Sequence, residues 1–431
     1  MQAFRIILAA ACLSVTSYAQ TAFDTVFAHP QLWSLDQDGF EKATPGLRFE
    51  WTSSARDSAR AASRSGMTLF GRPVYEVVAR FDGGDKLSMI SVNFYARGDA
   101  GEITEPAFEA LRTGTIETLT KATAQKPVVR GRDPTSAVKA EGMTWTTAKS
   151  QYLLESSYTR EIKTRNIPFR AEFVRLEVRP AAQKQGLIAA SLSSTKKEKF
   201  SGPTHVKKDA ATGDVWVEGV PMVDQGQKGY CVVASTERVM RYYGNDVDAN
   251  ELAQVANSDA AGGTNSLAMR AALKKLAARL KVRVREHESI EVKQVLAMIR
   301  DYNRNAKRSG QAEIPDPGYM IDIGMIYRSM DGAVLKEART KNKSDMSRFQ
   351  RDVQSYIDIG IPLLWSVQLG LVPEPGLPQG GGGHMRLIIG YNPKTQEILY
   401  SDSWGAGHEQ KRMKADDAWT ITTQLVTIEP L

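Results

Sequence analysis

Cysteine is scarce in this chain: there are two in 431 residues, and one of them, Cys12, lies in an apolar segment near the amino terminus. A chain left with a single thiol is not a disulfide-stapled scaffold and has to be held together by its cores. Long apolar runs are missing as well. After the first twenty or so residues no stretch approaches the roughly 20 apolar residues that cross a bilayer, which excludes a membrane span. The net charge of +7 is spread along the chain. Its one basic cluster, Lys196-Lys197-Glu198-Lys199 followed by Lys207 and Lys208, sits in Ser- and Thr-rich sequence without interleaved aromatics. That is the pattern of a solvated linker and not of a nucleic-acid surface. What remains, 42% hydrophobic and 24% charged residues over this length, describes a soluble globular protein of two domains.

The first residues are of another kind. Arg5 precedes the apolar run Ile6 to Leu13, and Ser17-Tyr18-Ala19 places small residues where a signal peptidase reads them. The expectation is a signal peptide over residues 1–19, cleaved after Ala19, and a secreted or periplasmic product that has lost Cys12. Over 20–183 the pattern is α+β. Period-two alternation at 74–81 and 87–95 flanks the turn cluster Asp82-Gly83-Gly84-Asp85 and predicts a hairpin, a helix is expected near 105–122, and alternation returns at 143–148, 151–158 and 169–178. This N-terminal domain reads as a mostly antiparallel sheet with at least one helix, and nothing in it looks catalytic. Residues 184–213 lose periodicity and become Ser-, Lys- and Gly-rich, the pattern of a linker. From 214 to 431 the order is helices first, near 231–243, 249–256, 266–280, 291–307 and 347–359, then strands near 361–368, 385–391, 398–401 and 425–428. A helical lobe facing a β lobe leaves a cleft between them, a natural place for a site.

The surviving thiol, Cys231, opens the first of those helices. There the unpaired backbone N–H groups and the positive helix pole favour a thiolate, although a lone cysteine is more often inert packing. Upstream in Gln225-Gly226-Gln227-Lys228-Gly229-Tyr230-Cys231, a glutamine amide could donate, with the Cys231 N–H, to an oxyanion; the glycines allow the tight turns this requires. Of five histidines, only His384 opens a predicted strand directly after a glycine run, Gly380 to Gly383, which keeps side chains away from the imidazole. After one β return, Asp402 in Ser401-Asp402-Ser403-Trp404-Gly405 could orient that ring from an adjacent strand, with Trp404 as a roof against water.

Gln-Gly-x-x-Gly-x-Cys on a buried helix, a histidine at a strand start roughly 150 residues later, then Asp-Ser-Trp-Gly closing a strand, resembles the papain-like cysteine peptidases over about residues 214–431. The resemblance implies a papain-like domain with Cys231 as nucleophile, His384 as general base and acid, Asp402 as orienting residue and Gln225 as oxyanion donor. It implies a peptide or protein substrate and no cofactor or metal; oligomeric state is left open. Three positions depart from papain itself: Asp402 stands for asparagine, Val232 for a tryptophan, and Lys228 for a cysteine used there in a disulfide. Tyr-Cys-Val-Val-Ala-Ser together with Gly360-Ile361-Pro362-Leu363-Leu364 is more similar to bacterial peptidases of the bacteriocin-processing type. The same triad order also serves peptidoglycan amidases and transglutaminase-like acyl transferases, and a non-catalytic binding protein on this scaffold is a further alternative. The N-terminal domain would either hold substrate or cover the cleft before activation.

Overall fold

Alternation at 74–81 and 87–95 becomes the antiparallel pair Glu76–Arg80 and Met89–Ala96, with Glu76 opposite Asn93 and Arg80 opposite Met89. The computed structural model describes every residue except 1–20, 63–65, 82–84, 131–137, 182–199, 227–228, 246, 248, 257–265, 290 and 319–321. The expected signal segment and most of the expected hairpin turn therefore lie outside the described residues. Neighbouring strands extend the pair into an eight-stranded sheet whose order, by first residue, is Glu50, Ser58, Glu76, Met89, Arg170, Ser150, Glu141, Val128. All its pairs are antiparallel. A separate three-stranded sheet, Thr21–Ala22, Met67–Leu69 and Arg72–Pro73, contains one parallel pair.

The helix Glu105–Thr123 starts with Pro106 in its first turn, where a missing N–H costs no hydrogen bond, and stops at Ala124 in the left-handed conformation (φ 52°). It lays Phe108 and Leu119 into a core with Phe40, Val92, Val174 and Leu176. Each such side chain, taken wholly out of water, contributes roughly 1.5–3 kcal/mol before the entropy of ordering it.

Residues 200–213 correct the linker expectation. Gly202–His205 forms a 3-10 turn, Val206–Lys208 pairs with Val215–Val217, and Phe200 packs edge-on against Tyr242 and Tyr243. Lys207 and Lys208 thus lie in a short strand at a sheet edge, where lysines discourage pairing with another chain; that composition is hard to tell from a loop. The rest of the expected linker, 182–199, lies outside the described residues.

The second sheet runs, by first residue, Val206, Val215, Gly382, Leu363, Thr422, Val282, and Glu397–Ser401 and Lys411–Lys414 continue from the Gly382–Asn392 strand. The expected succession of helices and then strands needs three corrections: strand Val215–Val217 precedes the first helix, helix Ala415–Ile421 falls among the strands, and Val282–Glu288 stands between two helices in the chain and forms an edge of this sheet beside Thr422–Pro430. Its Val-Arg-Val-Arg alternation is that of a strand with one wet face. Helices Cys231–Tyr242, Ala249–Val255, Ser266–Leu280, Val292–Ser309 and Lys343–Ile357 fall within a few residues of their expected spans. Ile323–Arg328 and Gly332–Thr340 are additional, and each is started by an aspartate, Asp322 or Asp331, that accepts the N–H of Met325 or Val334. Val233, Val239 and Met240 of the first helix share a core with Leu363, Trp365 and Leu387 of the sheet. Among the described residues no helix is long and apolar enough to cross a membrane.

Candidate active site

The loop before Cys231 is shaped by its own polar groups. Asp224 Oδ1 accepts the N–H of Gly226 at 2.8 Å, and Gly226 takes the positive φ of 64° that this turn requires. Gln225 donates its backbone N–H to the Ser403 carbonyl at 2.8 Å, which ties the loop to the chain just after Asp402. The Ser403 hydroxyl donates to Gln225 Oε1 at 2.6 Å. Holding the amide oxygen in this way fixes which end of the side chain donates.

Cys231 is the first residue of its helix, with Tyr230 as cap. One face of that helix carries Cys231, Ser235 and Arg238, at the i, i+4, i+7 spacing of a single stripe. Ser235 Oγ donates to the Met385 carbonyl at 3.3 Å. The fully buried Arg238 guanidinium donates to the carbonyls of Pro221 and Asp402, both at 2.8 Å, and to Ser401 Oγ at 2.5 Å. Burial pulls the Arg238 pKa down to about 10, so it stays charged at neutral pH. These bonds set the height of the cysteine against the histidine strand.

His384 lies near the start of the Gly382–Asn392 strand, opposite Val367. Its Nε2 and Asp402 Oδ1 are 2.8 Å apart, and both side chains are wholly buried. Nδ1 is buried without a hydrogen bond of standard geometry and is the nitrogen left for the thiol. Trp404 lies flat on the imidazole, with centroids 4.1 Å apart and planes inclined by 2°. A Cβ added at Gly380 or Gly383 would meet no atom within 4 Å, so these two glycines stand in open space ahead of the buried ring.

The three groups move one another's protonation. Burial pushes the Cys231 thiol up, but interaction with His384 and the backbone N–H groups of Met385 and Val232 outweighs it and brings the thiol below its ordinary value. For His384, burial acts downward, whereas the hydrogen bond to Asp402 and the neighbouring thiolate lift the imidazole above its ordinary value. Asp402 is pushed up by burial and pulled further down by His384 and Arg386. A depressed thiol facing a raised imidazole favours a thiolate–imidazolium pair between the two pKa values.

Gln225, Cys231, His384, Asp402 and Trp404 thus converge from three separate stretches of chain. Three further residues support them. Besides Ser403 and Arg238, Arg386 stands two residues after His384 on the same strand and donates Nε to Asp402 Oδ1 at 2.9 Å. Its Nη1 lies 2.8 Å from Glu374 Oε2, which also accepts the Tyr400 hydroxyl at 2.8 Å, and its plane rests on the Tyr400 ring. The signal for Arg386 was present in the sequence, since residues two apart on a strand share a face. Among the described residues, no group of three or more His, Cys, Asp or Glu side chains is placed to hold a metal ion.

Residues 217–426 match the model of the Peptidase_C39 like family, a span that includes all four candidate residues. Among solved structures, the peptidase domain of Streptococcus ComA, a bi-functional ABC transporter involved in a quorum-sensing pathway, is 12% identical with a TM-score of 0.25, over 49% of this chain and 100% of that one. Xylellain, a cysteine protease from Xylella fastidiosa, is 11% identical with a TM-score of 0.28, over 52% of this chain and 90% of that one. No curated protein matches the chain.

Proposed function

We propose that this chain, whose residues 217–426 match the model of the Peptidase_C39 like family, is a papain-like cysteine peptidase that hydrolyses peptide bonds outside the cytoplasm through Cys231, His384 and Asp402. The observation that carries the catalytic reading is the buried His384–Asp402 bond at 2.8 Å beside a thiol whose pKa and that of the imidazole are shifted toward an ion pair. Export rests on the apolar run Ile6 to Leu13 and the small residues before Gln20.

In this reading the Cys231 thiolate attacks the amide carbonyl, a carbon–sulfur bond forms, and the carbonyl electrons move onto oxygen. The Cys231 N–H and the Gln225 amide donate to that oxyanion. As the tetrahedral intermediate collapses, His384 gives its proton to the leaving nitrogen and the carbon–nitrogen bond breaks, leaving a thioester on Cys231. His384 then takes a proton from water, which attacks the thioester and releases the carboxylate and the thiolate. Asp402 keeps the imidazole in one tautomer and offsets its positive charge while it is protonated.

Alkylation by iodoacetamide against pH tests the reading directly, because Cys231 is the one cysteine after residue 19. The expected result is labelling that persists well below pH 7 and is lost in His384→Ala, with turnover of a peptide library that disappears in Cys231→Ala. Labelling that follows an ordinary thiol, with a pKa of about 8.5, overturns it. Mass analysis of products distinguishes a new free amino terminus from a trimmed peptidoglycan stem or a new isopeptide bond.

A further inference from the structure

The first eight-stranded sheet and the short helix Arg97–Ala100 that follows its Met89–Ala96 strand touch the loop before Cys231, one at each end of the loop. At one end, Arg60 of the Ser58–Ala62 strand is held on its own sheet by Glu76 Oε1 at 2.6 Å and reaches across to Asp224 Oδ2 at 3.3 Å. The other oxygen of Asp224 accepts the Gly226 N–H that shapes the turn around Gln225. Contact is close: a Cβ at Gly226 would come within 2.5 Å of Arg60 Nη2. At the other end, the hydroxyl of the buried Tyr230, immediately before Cys231, lies over Gly98, where an added Cβ would come within 1.7 Å of it. Further along the same side, Arg80 meets Glu237 at 3.3 Å and Ser157 donates to Gln254 at 2.8 Å. Between these grips lies a cavity of about 80 Å³ whose mixed lining includes Arg60, Glu76, Gln225, Tyr230, Val233 and Glu237.

We infer that the N-terminal sheet is a working part of the acyl-transfer site, with Arg60 as a positioning residue that holds Asp224 and, through the Gly226 turn, the Gln225 amide. The inference rests on the cysteine-peptidase reading and adds to it a role for the N-terminal residues other than holding substrate or covering the cleft. Asp224 is fixed from both sides, by a guanidinium from the sheet and by an N–H of its own loop. Among the described residues Arg60 is the sheet's ion-pair partner for Asp224, and without it the turn that aims Gln225 loses one of its two anchors. The second anchor, the Gln225 N–H on the Ser403 carbonyl, survives. The loss is therefore of aim and not of the fold.

The test uses the full chain carrying Cys12→Ser, so that Cys231 is its one thiol, with Arg60→Ala, Arg60→Lys and Asp224→Asn, and reads two reactions of that thiol. Iodoacetamide alkylation needs the thiolate but builds no oxyanion, whereas peptide hydrolysis needs both. The expected result is a kcat lower by about 10- to 100-fold in Arg60→Ala, the scale of a misplaced or missing oxyanion donor, with partial recovery in Arg60→Lys. The alkylation rate and its pH dependence stay within about twofold of the unaltered protein. Asp224→Asn keeps an acceptor for Gly226 while removing the charge that Arg60 meets, and it lowers kcat in the same sense if Arg60→Ala fails to fold. A kcat within about threefold of the parent in the folded variants overturns the inference, as does alkylation that falls in parallel with turnover, because a general structural loss would move both. A parent chain with an ordinary thiol and no turnover overturns the peptidase reading itself, and with it this inference.

Discussion

Replacing Asp402 by asparagine separates the orientation of the imidazole from the charge beside it. Oδ1 accepts from His384 Nε2 at 2.8 Å and from Arg386 Nε at 2.9 Å, and an asparagine oxygen at that point can accept both. The ring should keep its place. The charge disappears, and two unit charges about 4 Å apart interact by about 4 kcal/mol at an effective dielectric of about 20. That energy is the ceiling on what the carboxylate contributes to holding the proton on His384, whose imidazole it lifts above its ordinary value. Arg386 and burial, which both disfavour imidazolium, remain after the substitution. The sign follows: the imidazole pKa falls, and the alkaline limb of kcat/KM moves to lower pH.

Measured between about pH 5 and 9, Asp402→Asn should therefore lose little at the acid end and progressively more as pH rises. Asp402→Ala removes the acceptor as well and should lose activity at every pH. A second consequence is independent of catalysis. Asp402 Oδ2 is buried without a hydrogen-bond partner among the described residues, so the asparagine NH2 placed there brings donors without an acceptor, costing about 1–3 kcal/mol in thermal unfolding. An alkaline limb that stays in place in Asp402→Asn refutes the electrostatic reasoning. Equal, pH-independent losses in both variants would show that an asparagine at this position does not hold the ring.

Three shorter expectations concern neighbouring residues. Gln225→Ala should lower kcat by about 10²–10³ while alkylation of Cys231 is unchanged; a loss below about threefold removes Gln225 from the oxyanion role. Trp404→Ala should let water reach the His384–Asp402 bond and remove the ring stacked on the imidazolium, an interaction of about 0.5–2 kcal/mol. Its alkylation profile should shift toward that of a free thiol, whereas Trp404→Phe should largely preserve the parent profile. Arg386→Met leaves the buried Asp402 and the partly buried Glu374 without their shared cation, and should cost about 3–5 kcal/mol in unfolding; a change under about 1 kcal/mol in denaturant melts would show that water or rearrangement already compensates them.

The parts of the site that could be read from the sequence are those made of scarce residues. One thiol after residue 19 and five histidines leave few ways to place a nucleophile and a base, and a helix start and a strand start then select Cys231 and His384. The supports are different. Arginine and lysine together number 56, so nothing in composition singles out Arg238 or Arg386, although helical and strand spacing puts each on the same face as a chemical residue. Arg60 is harder still, because its partner Asp224 is 164 positions away and the two become neighbours only when a sheet and a loop from distant parts of the chain meet. The same limit explains the misread segments. Val206–Lys208 is too short and too charged for its pattern to be distinguished from a loop, and it becomes a strand because Val215–Val217 supplies its hydrogen bonds. Periodicity reports which face of an element is dry, and rarity reports where chemistry is concentrated. Neither reports which surfaces are brought together, and in this protein that meeting is where the N-terminal sheet acquires its bearing on the catalytic loop.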